Sequence, residues 1–291
     1  QKSTKLLAGK NIIITGASRG LGCYVARAMW RNGANLFLTA RSQEALTELR
    51  EELARSALHG QSIFILAVDL KQLQNTALIV RKAREVWSRL DGLVNNASIL
   101  GPMGRTWEIR WEKWQETISI NLYASIALCR DCVPWMSENG GGRIINLSGG
   151  GATGPRPYFS AYAVSKTGIV RFSEILSEEA REFNVQVNCV APGALNTDML
   201  EEVLSAGVEN VGKEEYDCAL RQKESGGASP ERAANLCVFL ASSAADGITG
   251  KLISAMWDNW ENLPEHVSDL TGTDIYTLRR IVPKDRGKDW E

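Results

Sequence analysis

The chain has 291 residues, is 44% hydrophobic and carries a formal net charge of −1, which provides for one large α/β core and gives no electrostatic footprint for nucleic acid or anionic lipid. No apolar run is long enough to span a bilayer and no signal-peptide pattern opens the chain, which begins on Gln1 rather than Met, as processing or trimming would leave it; a cytoplasmic protein is expected. The six cysteines, Cys129-x-x-Cys132 included, lie in apolar segments as reduced core thiols do, and the two distant histidines, His59 and His266, suggest no metal site.

The first predicted element is a buried strand over residues 11–15 (NIIIT). Gly16-Ala-Ser-Arg-Gly20-Leu-Gly22 follows it and opens a helix to about residue 32. Glycines at a strand-to-helix turn let the backbone approach a pyrophosphate, which the free N–H groups and dipole of the helix then stabilise. A second strand, residues 35–39 (NLFLT), ends at Ala40-Arg41-Ser42. A carboxylate there would accept from a ribose 2′-OH; this chain instead has a guanidinium in reach of a 2′-phosphate, with Arg19 as a second cation nearby. Together they favour NADP over NAD.

Alternation continues with a helix over residues 42–57, a strand over 63–68, a helix over 73–90 and a strand over 92–95. Asp69 and Asn95-Asn96-Ala97 end those two strands, on the side of an open α/β sheet where ligands sit. Residues 107–132 read as one long helical segment with Asn121 inside an apolar stretch (ISINLYASIALC). A buried asparagine needs partners, and read alone it is more often a tie to backbone than a catalytic group.

The stretch RIINLSGGGATGPRPYFSAYAVSK, residues 143–166, is the chemical centre of the sequence. A buried strand over 143–147 delivers Ser148 at its carboxyl end. Ser160 reads as a helix N-cap, placing Tyr162 and Lys166 at i and i+4 on one helix face. A phenol is a poor base at neutral pH, but an ammonium within a few ångströms favours the phenolate, so Tyr162 becomes usable as an acid–base while Ser148 hydrogen-bonds the substrate oxygen. Beyond it come a strand over 186–190, the turn Pro192-Gly193, and a polar, helix-prone stretch over 198–227 that reads as a lid. A helix from Pro230 to about residue 242 and a last strand over 251–255 complete a single doubly wound domain over 8–255, with a C-terminal extension over 256–291.

Taken in order, Thr15-Gly16-x-x-x-Gly20-x-Gly22, Asn95-Asn96-Ala97, Asn121, Ser148, Tyr162-x-x-x-Lys166 and Pro192-Gly193-x-x-x-Thr197 resemble the short-chain dehydrogenase/reductase family. The resemblance implies a Rossmann-type sheet of seven parallel strands, hydride exchange with a nicotinamide, and a homodimer or homotetramer built on the helices carrying Asn121 and Tyr162. It makes Tyr162 the acid–base, Ser148 the group that polarises the carbonyl, Lys166 the ribose ligand that also lowers the phenol pKa, and Asn121 the holder of a relay water. The dinucleotide is expected against Gly16, Ser18, Arg19, Gly20, Leu21, Gly22, Arg41, Asp69, Leu70, Asn95, Ala97, Tyr162, Lys166, Pro192, Gly193 and Thr197. Two departures stand out: Ser98 replaces the glycine of the family's Asn-Asn-Ala-Gly, and Ser254-Ala255-Met256-Trp257-Asp258-Asn259-Trp260 replaces the usual Gly-Gly ending.

The leading expectation is an NADP-dependent reductase of a small-molecule ketone or secondary alcohol. An epimerase and a non-catalytic nucleotide sensor are the alternatives, and the complete Ser148, Tyr162 and Lys166 set argues against the sensor. Trp257 and Trp260, with Asp258, Asn259, Glu261 and Asn262 among them, and further on Tyr276, Arg279 and Arg280 on an expected helix, suit a polar keto compound such as a sugar derivative. An extension that instead packs on a subunit interface, with the two tryptophans as anchors, is equally expected.

Overall fold

All five residues of β1 (Asn11–Thr15) are buried, a pattern possible only for a strand covered on both faces, as parallel sheets are. The computed structural model, which describes residues 5–290 and so leaves Gln1 outside the described residues, builds around it a seven-stranded sheet. The strands are β1, β2 (Asn35–Ala40), β3 (Ile63–Ala67), β4 (Gly92–Asn95), β5 (Gly142–Leu147), β6 (Val185–Ala191) and β7 (Leu252–Ser254). All are parallel, in the order β3-β2-β1-β4-β5-β6-β7. The order reverses between β1 and β4, where Ile12 lies beside Gly92 and Ile14 beside Val94. Ligands of open α/β sheets bind at such a switch point.

Helices α1 (Gly20–Arg31), α2 (Gln43–Ala54) and α10 (Pro230–Ala241) bury Val25, Met29, Leu46 and Leu236 against one face. On the other, α3 (Gln74–Val86), α5 (Ala124–Glu138) and α6 (Ser160–Glu179) bury Ile79, Leu128, Trp135 and Leu176. The extension shares the first core: Trp260, Leu263 and Leu270 are buried in it, and Trp260 packs at a tilt against Phe239 of α10 with centroids 5.5 Å apart. The extension also runs along β7, whose Leu252 N–H donates to Tyr276 O (2.8 Å), while Lys251 Nζ donates to the carbonyls of Thr273 and Ile275, each at 2.9 Å.

Four sequence expectations need correction. The helix expected over 107–132 starts only at Trp111 in α4 (Trp111–Ile118), passes through a π turn (Ser119–Tyr123) and continues as α5 to Glu138 through Pro134. The wider turn carries Asn121, whose side chain bonds to neighbouring backbone. The helix expected to reach residue 90 stops at Val86, because Trp87 turns inward against Phe37 and Phe64 (centroids 6.1 and 6.0 Å). Ser160 begins α6 without capping it: its Oγ accepts from Trp114 Nε1 at 3.2 Å. Tyr276, Arg279 and Arg280 lie on no helix; Tyr276 has φ 59°, and Arg279 pairs with Asp274 and Asp285, each at 3.0 Å.

The expected lid is helical, as α7 (Asp198–Ala206), the single turn α8 (Val208–Val211) and α9 (Lys213–Ser225). Leu200, Val203, Val211 and Ala219 of these helices pack with Leu100, Phe159 and Tyr162, so the lid has a small core of its own, laid on the loop before α6. A last short helix, α11 (Val267–Leu270), lies in the extension. No helix among the described residues is long and apolar enough to cross a membrane.

Candidate active site

A cavity of about 790 Å³ opens at the switch point, between the carboxyl ends of the strands and the lid helices. That volume lies in the range of small-molecule and cofactor sites. Its nucleotide end is shaped by backbone contact. A side chain at Gly22 would place Cβ 2.1 Å from Gly16 O, and one at Gly16, where φ is +64°, would meet Ala97 Cα at 2.8 Å. Only glycine brings the turn this close to β4. Asn96 Nδ2 then ties β4 to the turn by donating to Thr15 O and Gly16 O at 3.1 and 3.0 Å.

The first turn of α1 has neither a side-chain cap nor an acidic residue, and Ser18, Arg19, Gly20 and Leu21 line the cavity there. The orphan N–H groups of that turn, with the helix dipole, fit an anion such as a pyrophosphate. Arg41 lines the same end, exposed and with no ion pair among the described residues; Asp69, Leu70 and Ala97 complete that wall. Arg19 is engaged, pairing with Asp198 at the start of α7 (2.8 Å) across the mouth.

At the reacting end stand Ser148, Tyr162 and Lys166, all buried and all lining the cavity. The buried Ser148 Oγ has no hydrogen-bond partner among the described residues. A buried hydroxyl left unbonded is costly, so one aimed into a cavity is a built receptor for a ligand oxygen. Gly149 explains how the phenol gets beside it: a Cβ there would lie 2.4 Å from Tyr162 Oη.

Lys166 Nζ donates to Leu147 O (2.9 Å) and stands 5.5 Å from the Tyr162 ring centroid. Burial depresses its ammonium to about 8. Burial likewise holds the phenol above its ordinary value, and the cation that opposes this is Arg156, 5.8 Å from the ring centroid. Burial also lifts the thiols of Cys129, to about 12, and Cys132, well up from their ordinary range, which removes the thiolate that redox exchange needs.

Pro192, Gly193 and Thr197 line the cavity as expected, and Ser98, the departure from Asn-Asn-Ala-Gly, lines it too. Three expected site residues do not. Gly22 faces Gly16 from within the helix. Asn95 is buried behind the wall, donating to Asn146 Oδ1 at 2.8 Å and Ser125 O at 3.3 Å. Asn121 uses its amide on Ile99, accepting from Ile99 N and donating to Ile99 O at 2.9 Å each, and on Ser165 Oγ at 3.1 Å. Its side chain is the backbone tie that the residue type alone favours.

The structure adds residues that sequence reading missed. Gly149 was visible only as part of a glycine run. Arg156 sits between Pro155 and Pro157 with no spacing motif; its guanidinium stacks 4.0 Å over the Phe159 ring and pairs with Glu215 of α9. Of the extension, Trp257 alone lines the cavity, 89% exposed; Trp260 is in the core and Arg279 and Arg280 are elsewhere on the surface. The turn that presents Trp257 is closed by Asp258, which accepts from Ser254 N at 2.6 Å, and by Ser254 Oγ, which accepts from Trp257 N at 3.1 Å. Among the described residues no cluster of three or more His, Cys, Asp or Glu could hold a metal ion.

Comparison with known proteins places this geometry in company. A family model described as short chain dehydrogenase matches residues 10–206. A 3-oxoacyl-acyl-carrier-protein reductase of Chlamydia muridarum is 30% identical over 249 residues, covering 86% of this chain and 96% of the relative. Among solved structures, L-sorbose reductase of Gluconobacter frateurii, complexed with NADPH and L-sorbose, is 31% identical with a TM-score of 0.77, covering 87% of this chain and 97% of that one. A 7α-hydroxysteroid dehydrogenase complexed with NADH and 7-oxo glycochenodeoxycholic acid is 26% identical with a TM-score of 0.76, covering 86% and 94%.

Proposed function

The chain belongs to the short-chain dehydrogenase family, and from that premise we propose that it is an NADP(H)-dependent oxidoreductase acting on a ketone or secondary alcohol, with a polar keto compound such as a sugar derivative as substrate. The observation that carries this reading is the unpartnered, buried Ser148 Oγ in one cavity with Tyr162 and Lys166. A nicotinamide dinucleotide supplies the hydride when bound. The α1 N-terminus and the glycine turn suit its pyrophosphate, and Arg41 its 2′-phosphate, since the end of β2 carries a free guanidinium and no carboxylate.

Ser148 Oγ donates to the substrate oxygen and holds it against the phenol. Tyr162 Oη gives its proton to the oxygen as the carbonyl is reduced, and takes one back in the reverse direction. Burial keeps the phenol protonated, the state in which it can donate to a carbonyl oxygen. Lys166, beside the phenol, orients the ribose hydroxyls and holds positive charge near the developing phenolate. A homo-oligomer through the outer faces of α6 and the π turn is supported by exposed Tyr123, Val164 and Ile175; light scattering tests it, with a monomer as the contrary result.

Consumption of NADPH with a panel of ketones tests the main reading. Turnover that disappears in Ser148→Ala while NADPH still binds is the expected result. Failure of every carbonyl to turn over in the presence of bound NADPH is the contrary one.

A further inference from the structure

The charged side chains of the cavity can be accounted for one by one. Arg41 and Asp69 stand beyond the ends of β2 and β3, at the nucleotide end; Arg19 is closed by Asp198; Lys166 is bound to Leu147 O behind the phenol. Arg156 and Glu215 remain, one on the loop before α6 and the other on the lid. Both are partly buried, with side chains 22% and 29% exposed.

The pair is bonded in a lopsided way. Arg156 Nε and Nη2 both donate to the same oxygen, Glu215 Oε1, the first at 3.1 Å. Glu215 Oε2 and Arg156 Nη1 have no hydrogen-bond partner among the described residues. Stacking on Phe159 holds the guanidinium 5.8 Å from the Tyr162 ring centroid, so the pair keeps one free acceptor and one free donor on the loop and lid that line the cavity. Trp257 stands at the rim and Gln222 on α9 lines the same cavity.

We propose that Arg156 and Glu215 form a charge-neutral pair that reads hydroxyl groups on the substrate, so that the site takes a neutral polyhydroxylated ketone and discriminates against one bearing a carboxylate or phosphate. This rests on the reductase reading above and narrows it. Hydroxyls can both donate to Oε2 and accept from Nη1. A carboxylate could still accept from Nη1, but the guanidinium charge is already paired and Glu215 meets the newcomer as a like charge. A long alkyl chain would leave both free polar atoms without partners as it displaced their water.

The test measures NADPH-dependent kcat/KM on three ketones: L-sorbose, 2-keto-D-gluconate, which resembles it in size but carries a carboxylate, and 2-heptanone. L-sorbose is expected to lead each of the others by at least about tenfold, the order of effect of leaving one polar group unpaired. Glu215→Gln should lower the L-sorbose value and raise that for 2-keto-D-gluconate, each by about tenfold, with the NADPH dissociation constant unchanged. A parent that prefers 2-keto-D-gluconate or 2-heptanone overturns the pair's role and leaves the reductase reading standing. So does a Glu215→Gln variant that moves both polar substrates by one common factor. Turnover of none of the three, or of any other carbonyl, with NADPH bound overturns the reductase reading and this inference with it.

Discussion

The floor and the roof of the cavity are built by different physics. The floor consists of strand ends and the first turns of α1 and α6, where Gly16, Gly22 and Gly149 let backbone or phenol come within a distance no side chain permits, and where Ser148, Tyr162 and Lys166 are buried. The roof consists of α7 to α9 and the Trp257 turn, joined to the floor by ion pairs, exposed Arg19 with Asp198 and partly buried Arg156 with Glu215. Contacts of the first kind are all or nothing, because a clash of an ångström cannot be relaxed in a close-packed interior. Contacts of the second kind are individually weak and exchangeable, with exposed pairs worth only about 0.2–1 kcal/mol. On the function proposed above, the floor would fix the chemistry and the roof would choose the substrate.

That contrast breaks if substitutions in the floor are mild. Tyr162→Phe, which removes the acid–base and nothing else, is expected to lower kcat by about 10²–10⁴-fold while thermal stability and NADPH binding stay at parent values. Activity within a few-fold of the parent would take Tyr162 out of the proton step. Gly149→Ala tests the same floor through geometry: its methyl would sit 2.4 Å from Tyr162 Oη, and displacing the phenol by that margin should cost on the order of 10²-fold in kcat. A variant with normal kcat would show that the phenol reaches the substrate by another path.

Three smaller effects sharpen the contrast. Arg41→Asp should move the ratio of KM for NADPH to KM for NADH by roughly 10–100-fold toward NADH, as expected from losing a charge-assisted bond of about 1.5–3 kcal/mol and setting a carboxylate in its place. An unchanged preference would remove Arg41 as discriminator. Lys166 supplies a pH dependence whose sign follows from its depressed value of about 8. Below it the ammonium is charged; above it the charge is lost. NADPH binding should thus be flat at lower pH and weaken by up to about tenfold per unit as pH rises beyond 8. A Lys166→Met variant should bind more weakly and show no such fall, and a parent whose affinity is flat to pH 10 would contradict the role. In the roof, Asp198→Asn should change the NADPH dissociation constant by less than about fivefold, the equivalent of one exposed pair, with no measurable change in melting temperature. A larger loss would mean that Asp198 belongs to the floor.

The same division explains what could be read from the amino-acid order. The strands themselves, and Gly16, Ser148, Tyr162, Lys166 and Gly193 as residues that the fold brings to one cavity, were legible, since each depends on a local requirement: a continuous apolar run, a turn without Cβ, two side chains one helical turn apart. Boundaries failed where a tertiary contact overrode local preference. Trp87 ends α3 by turning into the Phe37 and Phe64 cluster, and Asn121 sits in a π turn because its amide is bonded to Ile99. Arg156 and Glu215 are 59 residues apart and have no spacing rule, so only the fold brings them together. The extension misled for a similar reason: Trp257 and Trp260 are three apart yet face opposite ways, since the Asp258 turn sends one to the cavity rim and the other into the core.

The run of the extension alongside β7 bears on solubility. As the last strand in the order, β7 would offer unpaired N–H and C=O groups to any other extended chain, the template from which sheets grow between molecules. Leu252 N–H is occupied by Tyr276 O, and Lys251 pins that segment through Thr273 and Ile275. A chain cut after Ala255 would lose this cover together with the Trp260 anchor, and its first symptom should be concentration-dependent aggregation, before any change in how it handles substrate.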